Sequence, residues 1–94
     1  MKPELLDQIL DGLAGVRKEG TTYHLPEELD VSFYVAFPAE VVHFARVSKV
    51  ERRGELTVVD TSAGERHFVP TEIIASLKVS TGDRRTSGRG AGFR

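Results

Sequence analysis

Residues 54 to 79, GELTVVDTSAGERHFVPTEIIASLKV, leave few folds open to the chain. LTVVDT is rich in β-branched residues, SAGE supplies a glycine turn, and RHFVP reads as a returning strand, so the first half is a hairpin. The segment after Pro70 decides the architecture. A helix over PTEIIASLKV would have Thr71 as its N-cap, yet a helix that short is unstable on its own. One helical turn at PTEI and then a last strand, IASLKV, costs less. A continuous α-helix over 70 to 79 is therefore not expected.

Upstream, Val31, Phe33, Val35 and Phe37 alternate with Ser32, Tyr34 and Ala36, the two-residue period of a strand with one face in a core. Pro38 ends or kinks it. In EVVHFARVSKVE, 40 to 51, apolar side chains fall on both parities: Val41, Ala45 and Val47 on one, Val42, Phe44 and Val50 on the other. This is the pattern of one long, strongly bent strand whose buried face switches partway. RRGE then turns the chain, with Gly54 where positive φ is tolerated. The apolar residues of 31 to 79, Phe33, Phe37 and Phe68 among them, are expected to converge in one rolled-up sheet.

Residues 3 to 16 place Leu5, Leu6, Ile9, Leu10, Leu13 and Val16 along one side of a helix, with Glu4, Asp7, Gln8 and Asp11 toward water. Pro3 suits its first turn. Gly12 and Gly15 each cost about 1 kcal/mol relative to alanine, so the end frays and the apolar face needs cover from this chain's sheet or from a second subunit. Residues 17 to 30 show no sustained period and read as a connection with a short turn at PEEL.

A chain of 94 residues makes one domain, and its hydrophobic share of 39% is ordinary for a globular protein. It has no cysteine, which removes disulfides and thiolate metal sites. The acids among the first leucines argue against a secretory signal, and the apolar runs are far below the roughly 20 residues of a membrane span. A cytoplasmic location is the default expectation. Charge is uneven: residues 1 to 79 hold nine Lys and Arg against thirteen acids, a net of −4, whereas residues 80 to 94 hold four Arg against Asp83, a net of +3. Such a split marks a tail that touches a polyanion or folds back on its own domain.

Taken in order, the elements of residues 1 to 79 are a helix, a strand, a bent strand, two strands, a helical turn and a short strand. That order resembles the SH3-like and Sm-like small barrels, the Sm-like version having an N-terminal helix across the barrel's open end. The resemblance implies a mainly β, five-stranded small barrel over 1 to 79 and gives weak support to RNA binding; the Arg, Gly and Ser composition of 80 to 94 adds a disordered basic tail.

His24, His43 and His67 show no ligand spacing, so no metal is expected. Ser32, Ser48, Ser62, Ser76, Ser80 and Ser87 lack a G-x-S-x-G elbow, so no catalytic residue is assigned and the chain is expected not to be an enzyme. VVDTSAGE is similar to part of the cyclic-dinucleotide site of PilZ domains, although Asp60, Ser62 and Gly64 stand one residue closer and no R-x-x-x-R precedes them. Arg84, Arg85, Arg89 and Arg94, with Phe93 as one stacking face, are candidate contacts to RNA or DNA, and Arg52 and Arg53 form a second basic spot. The leading expectation is a non-enzymatic protein-assembly adaptor or subunit without cofactor. Its partner is another protein or a second copy, met through the helix face Leu6, Ile9, Leu10 and Leu13. Nucleic-acid binding through the tail is the alternative, and a PilZ-like domain the lesser one.

Overall fold

A computed structural model describes residues 1–81 of the chain. Helix α1, Pro3–Asp11, begins with Pro3 where a missing N–H has no helical partner to lose. It stops at Gly12, where the Gly12 N–H bonds the Ile9 carbonyl at 3.1 Å and the Leu13 N–H bonds that of Leu10 at 3.2 Å, and is therefore shorter than the 3 to 16 expected. Gly15 has turned to φ 83°, a conformation that takes the chain out of any helix.

Beyond the helix the chain forms two antiparallel sheets. The larger contains β1 (Arg17–Glu19), β2 (Thr22–His24), β5 (Val47–Arg53), β6 (Leu56–Thr61) and β7 (Arg66–Pro70), in the order β1-β2-β5-β6-β7. The smaller has β3 (Leu29–Phe37) at its centre, flanked by β4 (Glu40–Phe44) and β8 (Ile74–Thr81). A closed five-stranded barrel is not found among the described residues; the mainly β character is. Ser80 and Thr81 belong to β8, so the folded part runs two residues past the expected boundary at 79.

Three local choices produce this division. The segment 40 to 51, expected as one bent strand, is two strands in different sheets. Arg46 between them takes φ 55°, a left-handed value that costs a non-glycine residue about 1 kcal/mol, and its carbonyl accepts the Ser62 N–H at 2.9 Å. The switch of buried parity was thus a change of sheet. The supposed connection at 17 to 30 holds the β1–β2 hairpin, closed by Glu19↔Thr22 around Gly20 and Thr21. Gly20 at φ 63° and Gly54 at φ 61° each occupy the first central position of a two-residue turn, the type II′ requirement. Finally, the helical turn after Pro70 is a 3-10 turn, Thr71–Ile73, after which β8 runs as the expected last strand.

The core lies between the sheets and under α1. Leu6 and Leu10 from the helix meet Tyr23, Val31, Phe33, Val35, Val50, Val59 and Ile74, all buried. Of the three phenylalanines expected together, only Phe33 is there. β8 pairs with β3 only as far as Val35↔Ile74, so Phe37 projects beyond the three-stranded part and is exposed. Phe68 is paired with Val58 on the opposite face of the larger sheet and is exposed too. Thr57 and Thr71, both fully buried, share a hydrogen bond of 2.7 Å that ties the 3-10 turn to β6. The Met1 ammonium donates to the carbonyls of Glu72 at 2.6 Å and Ile74 at 2.8 Å, fastening the start of α1 to the same turn. No helix of the described residues is long and apolar enough to cross a membrane.

Candidate functional site

The β3–β4 hairpin presents an exposed apolar tip and an open edge. Its register runs from Phe33↔Phe44 through Val35↔Val42 to Phe37↔Glu40, with Pro38 and Ala39 as the two-residue turn. Pro38 pre-sets φ for the first central position, and neither turn residue has a positive φ, as a type I turn requires. In a two-residue hairpin the closing pair exchanges both backbone bonds, so Glu40, Val42 and Phe44 bond to β3. The N–H and C=O groups of Val41 and His43 then face away from β3.

β4 is an edge strand, so that outward side has no partner strand among the described residues. Natural edges are usually guarded by lysine, proline or a bulge within the strand. EVVHF has none of these, and its one charge is Glu40 at the end. Val41 is 64% exposed and Phe37 is 39% exposed, and Ala36, Pro38 and Ala39 beside them are exposed as well. Five neighbouring uncharged side chains at a loop tip are the opposite of the polar composition that turns normally carry.

The other end of β4 is held in place by stacking. His43 lies on Tyr34 with ring centroids 4.8 Å apart, and Phe44 lies on His67 at 4.0 Å, bridging the two sheets. His67 Nε2 is 3.2 Å from Glu65 Oε1. The strand is thus rigid at Phe44 and open toward Val41, which is what a docking edge needs: backbone groups held in line and an apolar knob free to enter a partner's pocket.

The residues singled out from sequence are placed differently from one another. Leu6 and Leu10 are wholly covered by the chain's own sheets, Ile9 is half-buried, and Leu13 packs against the same core. Most of that apolar face is used within one chain. Arg52 turns inward: its side chain is 12% exposed, Nη1 donates to the Gly54 carbonyl at 2.8 Å and Nη2 to Asp7 Oδ2 at 3.4 Å. Its Nε lies 3.0 Å from Asp7 Oδ1 but outside hydrogen-bonding alignment. Arg53 is bonded through two nitrogens to Glu51, at 3.1 and 3.2 Å. Neither arginine of the expected basic spot is a free cation. Arg84, Arg85, Arg89 and Arg94 lie outside the described residues.

Asp60, on which the PilZ likeness depends, is occupied by the chain itself. Arg66 donates to both of its oxygens, at 2.8 and 3.1 Å, and Lys49 Nζ stands 3.4 Å away. Arg66 first, then Lys49, holds the Asp60 carboxyl below its ordinary value, against an opposing effect of burial. The depressed value means that the native state binds this proton less readily than the unfolded chain does. The stabilisation is therefore present above the unfolded pKa and is lost as pH falls through the folded one. Asp60→Asn is expected to cost about 0.5–1 kcal/mol near neutrality, a figure reduced for the half-exposed Arg66, and nothing once pH is well below about 4. Melting temperatures of the two proteins measured from neutral to acid pH should converge at the acid end.

No group of three His, Asp or Glu among the described residues is arranged to hold a metal ion. Among the described residues, an open cleft of about 720 Å³ lies beside the β2–β3 loop and another of about 840 Å³ between the start of α1 and the 3-10 turn, and neither brings a histidine to a serine. The hairpin tip could have been noticed in the sequence as FPAEVV, an apolar stretch across a proline turn, but only the strand order shows that β4 is an edge. No family model, no curated protein and no solved structure matches this chain.

Proposed function

We propose that the chain is a non-enzymatic protein-assembly module that takes an extended segment of another protein, or of a second copy, along the open edge of β4. The observation that carries this reading is the combination at Val41: backbone groups directed away from the sheet, a side chain 64% exposed, and no charge in the strand beyond Glu40. Main-chain pairing would supply affinity, and a pocket for Val41 and Phe37 on the incoming partner would supply selectivity. The order of elements, ending in a 3-10 turn and a long last strand, supports kinship with SH3-like or Sm-like small barrels opened into two sheets. Nucleic-acid binding has less support, because Arg52 and Arg53 are engaged inside an acidic body.

The test is a display library of random extended peptides, with sedimentation of the full chain in parallel to detect self-association. Val41→Lys should weaken the selected peptides, or the self-association, by at least about tenfold, a loss of about 1.4 kcal/mol, while leaving the melting temperature unchanged. Amide shifts on binding should fall on residues 36 to 44. Peptides that bind Val41→Lys equally well, shifts that map elsewhere, or an absence of both peptide binding and self-association would each defeat the proposal.

A further inference from the structure

The cleft of about 720 Å³ beside the β2–β3 loop has a floor and a rim of different character. Leu25 and Val47 are buried and Leu29 half-buried, giving an apolar floor. Glu27, Glu28 and Asp30 are exposed at the rim, and none of the three forms an ion pair with another described residue. Among the described residues, Arg46 is the one cation that lines the same space.

The described chain ends at this cleft. The β3–β8 ladder closes with Asp30↔Ser80 and Leu29↔Thr81, and Ser80 and Thr81 themselves line the space. Thirteen residues remain, GDRRTSGRGAGFR, with four arginines, a single acid and one aromatic. Arg84 and Arg85 come three and four residues after Thr81, within about 10–14 Å of extended chain. The sequence beyond Thr81 is thus basic where the rim of the cleft is acidic, and its one aromatic, Phe93, matches the apolar floor in chemistry.

From the placement of the chain end and the opposite charges, we infer that the cleft is the docking site of the chain's own segment 82 to 94. Tethering is what makes weak contacts sufficient. Direct attachment to Thr81 gives the segment an effective concentration on the order of millimolar, so an intrinsic dissociation constant in the same range leaves it docked about half the time. Seated there, the arginines face carboxylates and are withheld from phosphate-bearing partners. The segment and the cleft then act as a mutual mask: an arginine-rich peptide would compete for the cleft, and a polyanion would compete for the tail.

The absence of cysteine permits a direct test in the full chain. A nitroxide attached at Ala91→Cys should broaden the amide signals of residues 25 to 30 and 46 to 48. That broadening should fall at least about twofold in about 0.5 M NaCl, where the screening length is only about 4 Å. It should fall equally when Arg84→Gln and Arg85→Gln are introduced, changes outside the described residues, and when Glu27→Lys and Glu28→Lys reverse the rim. Broadening unchanged by all three perturbations would reflect the tether alone and overturn the inference. Broadening greatest at another surface would overturn it as well. So would transfer of the effect to an isotope-labelled, spin-free chain mixed with a spin-labelled one, since the occupant would then be a second copy.

Discussion

Leu10→Ala is expected to lower the unfolding free energy by about 3 kcal/mol, measured as a shift of the urea midpoint with an unchanged slope. Leu10 is fully buried where α1 meets both sheets, so truncation removes most of a buried side chain and leaves a cavity that a β framework cannot close. A domain of this size has only about 5–12 kcal/mol in total, so the variant remains folded at low temperature and melts early. Leu5→Ala, on the exposed side of the same helix, should change stability by less than about 0.5 kcal/mol. The loss at Leu10 should also be independent of protein concentration. A loss that grew on dilution would mean that the helix face is shared between subunits, as the sequence pattern alone allowed.

The second large effect is expected at Asp7. Asp7→Ala should cost about 2 kcal/mol, because it strands the inward-facing Arg52 guanidinium with only the Gly54 carbonyl and removes the acceptor that lies 3.4 Å from the Tyr23 hydroxyl. The penalty comes from the partner left behind more than from the lost attraction, and that makes a double substitution informative. Arg52→Met keeps most of the volume and discards the charge, so Asp7→Ala combined with Arg52→Met should cost less than Asp7→Ala alone. Additive losses would show that the two side chains are energetically independent. The result bears on function too, since an arginine held by Asp7 is a fastener between α1 and β5 and cannot also be a phosphate contact.

These two expectations set the helix apart from the proposed docking edge. Substitution at Leu10 or Asp7 acts on stability, whereas Val41→Lys acts on binding and leaves stability in place. A single series of urea curves and peptide titrations separates the two roles.

How far the sequence was readable depended on the range over which each signal acts. The alternation of Val31, Phe33 and Val35 against Ser32 and Tyr34 is local, and β3 formed as read. Gly54 needed positive φ within four residues of chain, and has it. The three-residue strands β1 and β2 were too short for a period to emerge, although Tyr23 and Leu25, both buried, alternate with His24 in the same segment. At Ala45 and Arg46 the parity switch was visible, but its meaning was not: a bend within one strand and a passage between two sheets leave the same mark on side-chain order.

The chain's own residues therefore determined its mainly β character, the helical start at Pro3, the glycine turns and the 3-10 turn before the last strand, since each depends on dihedral preferences and side-chain periods over a few neighbours. Tertiary structure alone decided that strands 40 to 44 and 47 to 53 lie in different sheets, that Leu6 and Leu10 are spent inside, that Arg52 points at Asp7, and that β4 is left at an edge. Those outcomes depend on which distant segments pair first and best, and on contacts between residues far apart in the chain, such as Asp7 and Arg52, 45 positions apart. No local rule of side-chain order contains that competition.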